Sequence, residues 1–398
     1  MKVYSKVDQI KLSQANNIIV EGVLALQGGA FRGVYTSGVL DCLMDNDINL
    51  DTCVGISAGA LNGANYISGD RGRSAKINLE YRHDPNWVGY KAIKHDKGIV
   101  GFSFVFNKII DKLPFNYDRF YSPVRTLYAM VTNLKTGEQE YFTNHDKDKI
   151  FKAIKASASI PYISLPVEID GNLYLDGGCK YTLPLRFALT LNKPVVLVTT
   201  RDVKYREDSL GTLKKTAKKG TKIGPYRKYP EFVNSLKELN KLYNQDADLA
   251  DELVESGKIF RIAPSKPINI RRFEGDMEKL GELYNLGYND SKRKISDLKK
   301  FLHMPDERLV KGAIYYHFSG KYYRLIDIAY DSETNIEKVI YQELSGLKNF
   351  YVMDKNMFLA KLDKEKYPNI IQRYIFELVA YEESDLKKLK ILQKYVDK

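Results

Sequence analysis

Residues 50–68 read LDTCVGISAGALNGANYIS, and the fold follows from how this stretch is parsed. LDTCVG (50–55) is a short apolar run of the kind that forms a buried strand, and SAGALNGANYIS (57–68) is a helix of small residues. At their junction Gly55-Ile56-Ser57-Ala58-Gly59 fits the pattern G-x-S-x-G. Ser57 then sits on a tight turn, where Gly55 and Gly59 let the backbone bend and let a substrate approach. The same order recurs upstream. GVLALQ (22–27) is strand-like, Gly28-Gly29-Ala30-Phe31-Arg32-Gly33 forms a turn, and Val34, Val39, Leu43 and Met44 follow at helical spacing. Strand, turn and helix twice over predict an α/β fold with parallel strands.

Further along, YAMVTN (128–133) and EQEYFT (138–143) flank Lys135-Thr136-Gly137, a hairpin signal. A helix is expected over Lys149–Ala158, then the strand ISLPVEI (163–169), a Gly171-Asn172 turn, and LYL (173–175) opening onto Asp176-Gly177-Gly178. PVVLVTT (194–200) and KIFRIA (258–263) read as buried strands, and amphipathic helices are expected near 231–254 and 276–302. Residues 70–120 are mixed and give no firm placement. From about 310 to 375 the pattern becomes short and β-like, after a boundary at Pro305 and Asp306-Glu307-Arg308. The expected division is 1–304, a small β-rich domain over 305–375, and a charged terminal helix over 376–398.

Composition narrows the chemistry. The 398 residues are 44% apolar, enough for a sizeable core, and carry three cysteines, Cys42, Cys53 and Cys179. A disulfide framework or cysteine zinc site is not expected from so few. There is no secretory signal pattern and no apolar run of about 18 residues, so a cytoplasmic protein is expected. A net charge of +12 fits a solvated basic surface, or attraction toward anionic lipid; no reader motif for nucleic acid is present, and none is expected as a partner. Residues 201–228 hold ten basic and three acidic residues. They read either as a solvated loop or as a lid that docks on an anionic membrane.

The Gly28–Gly33 turn exposes consecutive backbone N–H groups, an anion cradle. It could be a dinucleotide fingerprint, although Ala30 breaks G-x-G-x-x-G, or a packing turn. Its third use is an oxyanion hole, in which each donor is typically worth about 3 kcal/mol. The serine turn shortly downstream favours the oxyanion hole. Asp176-Gly177-Gly178 alone is turn chemistry, but Ser57 needs a base. None of the five histidines, His83, His95, His145, His303 and His317, lies in a glycine-flanked loop after a core strand. Asp176 acting directly on Ser57 is therefore the better reading.

QGGAFRGVYTSGVLD, GISAGA and LYLDGG, in this order, resemble the three signature blocks of patatin-like phospholipases, strongly over about 22–200 and more loosely to about 303. The resemblance implies a three-layer α/β/α core with a mainly parallel sheet, and hydrolysis of fatty acyl esters of lipids by a Ser–Asp dyad, with no metal or cofactor. Carried onto this chain, it makes Ser57 the nucleophile and Asp176 the base, with amides of Gly28, Gly29, Ala30 and Phe31 stabilising the oxyanion. Arg32, Gly33, Gly55, Gly59, Gly177 and Gly178 support the motifs. Lipid is the implied substrate, with peripheral contact to an anionic membrane. Ala30 in place of the third glycine is tolerable at negative φ and strained otherwise. A second resemblance, over about 310–362, is to a small bacterial β-domain of unknown function and implies no activity. A non-catalytic lipid- or protein-binding module on the same scaffold is the alternative.

Overall fold

The computed structural model describes residues 2–208, 224–304, 308–363, 365–368, 370, 372, 374–382 and 385. Eight strands form the larger sheet: β1 (Val20–Leu26), β2 (Leu50–Ile56), β3 (Thr126–Asn133), β4 (Gln139–Thr143), β5 (Val167–Ile169), β6 (Asn172–Asp176), β7 (Val195–Val198) and β8 (Ile259–Ile262). Their order is β8-β7-β1-β2-β3-β6-β5, with β4 paired to β3. The run from β8 to β3 is parallel, and β4, β5 and β6 are antiparallel additions.

A parallel strand buried on both faces needs apolar residues at nearly every position, and β1 has them. Leu24 and Leu26 enter a core with α1 (Gly33–Asp45) and α2 (Ala58–Ile67), whereas Val23 and Ala25 enter a second core on the opposite face. Other helices lie outside this pair: α3 (Arg73–Tyr81), α4 (Tyr90–Asp96), α5 (Ile150–Ser157), α6 (Leu185–Leu189), α7 (Pro230–Glu255), α8 (Met277–Lys292) and α9 (Ile295–Phe301). Leu280 and Leu283 of α8 join the first core; Leu185 of α6 and Tyr243 and Ala247 of α7 join the second. The sheet is thus covered by helices on both sides.

Helices α1 and α8 cross at two glycines. A β-carbon on Gly38 would lie 2.1 Å from the Tyr284 carbonyl oxygen, and one on Gly287 would lie 2.0 Å from that of Tyr35. Three tyrosine hydroxyls then donate across the crossing: Tyr35 to Asp290 at 3.2 Å, Tyr284 to Asp41 at 2.8 Å and Tyr288 to Asp45 at 3.0 Å.

The smaller sheet is wholly antiparallel: β9 (Ile314–His317), β10 (Lys321–Tyr330), β11 (Glu337–Glu343), β12 (Phe350–Asp354) and β13 (Phe376–Ala380), in the order β12-β11-β10-β9-β13. Two expectations need correction. Residues 376–380 are a strand rather than the start of a terminal helix, because Phe376 packs against Phe358 with ring centroids 4.3 Å apart. The rest of that expected helix falls almost entirely outside the described residues. The single helix expected over 276–302 breaks at Arg293-Lys294, and the turn brings Leu298 into the core. Of the basic segment 201–228, residues 209–223 lie outside the described residues. Among the described residues no helix is long and apolar enough to cross a membrane.

Candidate active site

Ser57 stands between the end of β2 and the first residue of α2, with φ 55° and ψ −121°. Few non-glycine residues adopt such a conformation, and it persists only where its surroundings over-determine it. Here the neighbours do so. A β-carbon on Gly55 would meet the Gly59 carbonyl at 2.6 Å, and one on Gly59 would meet the Leu26 carbonyl at 2.3 Å. Small residues are thus forced on both sides of the serine. The Ser57 N–H donates to Ser157 Oγ at 2.8 Å, and the side chain faces a cavity of about 330 Å³.

Asp176 ends β6 and is set into the wall of the same cavity. Its backbone is fixed from two sides, by its own N–H to the Ser159 carbonyl at 3.0 Å and by Thr132 Oγ1 donating to its carbonyl at 2.9 Å. Its carboxylate accepts from the Gly178 N–H at 2.8 Å. Burial pushes this carboxyl up to about 6; the Ser57 side chain, the Gly178 N–H and the positive charge of Arg272 pull the other way. Gly177 is required by the Met130 carbonyl, 2.4 Å from where a β-carbon would stand. Among the described residues no histidine lines this cavity. His83 bonds the Gly275 carbonyl, His145 bonds Thr126 and His317 bonds Ser319.

The third expected element, the loop after β1, adjoins both. Gly28 lies so close that a β-carbon there would be 3.0 Å from the Ser57 β-carbon. Thr200 latches the loop from β7, its N–H donating to Gln27 Oε1 at 2.7 Å and its hydroxyl to the Gly28 carbonyl at 2.8 Å. Among the described residues the N–H groups of Gly28, Gly29 and Ala30 make no hydrogen bond. The Phe31 N–H differs, since it points to the Arg272 carbonyl at 3.4 Å. The expected row of four donors is therefore a row of three. Ala30 has φ 49°, the strained case, at a cost of about 1 kcal/mol. Arg32 follows, with its Nε buried and, among the described residues, without a partner; burial first, then Arg201 and Arg272, lower its pKa to about 10. Gly33 packs on α2, where a β-carbon would be 2.8 Å from that of Ala58.

Several residues that shape the site lie outside the motifs: Ser157, Thr200, Arg201 and Arg272. A second cavity, about 70 Å³ and mainly apolar, opens on the other side of Ser57 between Phe31, Leu61, Trp87, Phe106 and Ile160. Only contact geometry reveals these, because they converge from segments far apart in the chain.

Comparison with known proteins agrees with the resemblance read from the motifs. The patatin-like phospholipase family matches residues 24–189, a domain of unknown function (DUF6363) matches 229–303, and a protein family of unknown function (DUF1653) matches 313–376. Residues 24–189 are thus a patatin-like domain. The uncharacterized protein YjjU of Escherichia coli is 24% identical over 66% of this chain and 74% of its own length. A probable lipid hydrolase, 463L of Invertebrate iridescent virus 6, is 24% identical over 46% of this chain and 72% of its own. The crystal structure of VipD from Legionella pneumophila aligns at 14% identity and a TM-score of 0.38, covering 70% of this chain and 67% of that one.

Proposed function

We propose that this patatin-like chain is a serine lipid acyl hydrolase that cleaves fatty acyl esters through Ser57 and Asp176. The observation that carries the reading is the juxtaposition, in one cavity, of a hydroxyl on a strained turn, a carboxylate that feels it, and three amides that have no partner among the described residues. Asp176 takes the Ser57 proton as Oγ attacks the acyl carbonyl, and the amides of Gly28, Gly29 and Ala30 hold the oxyanion. Collapse of the tetrahedral species expels the alcohol, which leaves with the proton from Asp176, and the acyl group stays on Ser57. Water then attacks the acyl-enzyme, giving its proton to Asp176, and Ser57 regains a proton as the fatty acid departs. The apolar cavity on the far side of Ser57 suits the acyl chain, and the larger cavity suits the head group.

Two tests bear on this directly. A fluorophosphonate probe should label Ser57, and p-nitrophenyl acyl esters should be turned over. Asp176→Asn should lower turnover by roughly 10³-fold or more while the protein stays folded. Retained activity in that variant rejects the dyad, and an unreactive Ser57 favours a binding module instead.

Contact with an anionic bilayer belongs to the same reading. Tyr90 and Leu165 are 69% and 61% exposed, with Ile93 and Ile163 exposed beside them. The Leu165 N–H bonds the Lys97 carbonyl at 2.9 Å, which joins the two segments, and Lys94 and Lys97 are exposed there as well. Exposed apolar side chains ringed by lysine fit an interface rich in anionic lipid. Sedimentation with liposomes should therefore rise with anionic lipid content and fall with salt.

A further inference from the structure

The larger cavity has a charge arrangement that ester hydrolysis by itself does not need. Arg32, Arg201 and Arg272 all line it, and among the described residues none of the three forms an ion pair with a carboxylate. Each is tied by backbone to the loop that carries the three free amides. Arg32 is part of that loop, Arg201 directly follows the Thr200 latch, and the Arg272 carbonyl receives the Phe31 N–H. Arg201 is further fixed by its guanidinium lying 4.2 Å over the Tyr205 ring and by the Thr199 hydroxyl on its carbonyl at 2.8 Å. Opposing negative charge in the cavity comes from Asp176, beside Ser57, and from Glu207, beside Tyr205. The Arg32 Nε is buried with no acceptor among the described residues. Three guanidinium groups against two carboxylates leave the cavity net positive, and a planar guanidinium is the side chain best matched to phosphate oxygens.

Resting on the hydrolase reading, we propose that Arg32, Arg201 and Arg272 form a subsite for the phosphate of an acyl ester whose head group carries net negative charge. Because the arginines line the same cavity as Ser57 and the loop amides, the phosphate and the scissile ester belong to one ligand bound there. An ammonium attached to that phosphate would face three cations, so zwitterionic head groups are disfavoured and neutral ones gain nothing.

The test compares three esters of one acyl chain: 1-acylglycerol 3-phosphate, the corresponding lysophosphatidylcholine, and the monoacylglycerol. The phosphate ester should have the highest kcat/KM. The double variant Arg201→Gln/Arg272→Gln should lower the ratio of phosphate ester to monoacylglycerol by roughly tenfold or more, and Arg201→Lys/Arg272→Lys should restore part of it. Preference for the neutral ester, or a ratio that the double Gln variant leaves within about twofold, overturns the proposal. A second arm needs no turnover. Ser57→Ala protein is titrated calorimetrically with glycerol 3-phosphate, inorganic phosphate and glycerol. Tighter binding of glycerol 3-phosphate than of either other ligand, lost when the two arginines are Gln, upholds the subsite even if no ester is cleaved, in which case the hydrolase reading alone fails. Equal binding of inorganic phosphate, or no binding, overturns the subsite.

Discussion

The two sheets treat strain and charge in opposite ways. In the parallel sheet the chain places Ala30 and Ser57 at positive φ beside a cavity, buries the Arg73, Arg119 and Arg125 side chains on backbone carbonyls, and sets a carboxyl at Asp176 that burial pushes up to about 6. In the antiparallel sheet, positive φ falls at turn residues such as Asn335 and Lys348, and an ion pair such as Lys311–Asp327 lies at the surface. Its interior is a stack of rings in which Tyr315, Tyr341, Phe358 and Phe376 meet. The first region holds costly conformations because a large, doubly covered sheet over-determines them. The second rests on ring packing.

That contrast can be broken most sharply by a pair of substitutions. Ser57→Ala should remove ester turnover by roughly 10⁴-fold or more, equivalent to about 5.5 kcal/mol, with thermal unfolding unchanged. Phe358→Ala should do the reverse: a loss of about 3–5 kcal/mol from the small domain in denaturant unfolding, with kcat/KM retained. If Phe358→Ala abolishes turnover, the two regions are not separable.

A third, smaller effect comes from pH. The Asp176 carboxyl lies at about 6 in the folded chain, above its ordinary 3.8, and must be ionised to accept the Ser57 proton. The rate should therefore fall about tenfold per unit below pH 6, measured as kcat/KM with a non-ionising ester. Stability has the opposite sign. A raised carboxyl favours the folded state below its unfolded pKa, and that contribution is lost as pH rises through about 6. Asp176→Asn should then raise the midpoint of thermal unfolding more at pH 8 than at pH 5. The smallest effect is Lys338→Ala, which breaks a partly exposed pair with Asp354 and should cost under about 1 kcal/mol.

Much of the larger region was legible because its signals are local. The short apolar run of β1, the turns at Gly28–Gly33 and Gly55–Gly59, and the Asp176-Gly177-Gly178 corner each sit within a few residues. What was not legible is long-range. The Phe31 amide is diverted by a carbonyl at Arg272, and Ala30 stands at positive φ, neither of which a local pattern encodes. The break at Arg293-Lys294 is a tertiary override of helical periodicity, driven by the burial of Leu298. The strand at Phe376–Ala380 was read as helix because its partner β9 lies some sixty residues earlier.

The glycine crossing of α1 and α8 bears on the order of synthesis. The helix that emerges from the oxyanion loop lies against a helix made much later, with Tyr35 bonded to Asp290 across 255 positions. The matched segment 24–189 also ends before β7 and β8, two of the five parallel strands. A nascent chain therefore leaves the ribosome with the proposed nucleophile and base already translated but the loop beside them unclamped. Under the proposed reading, competence should arise only after about residue 300 has cleared the exit tunnel.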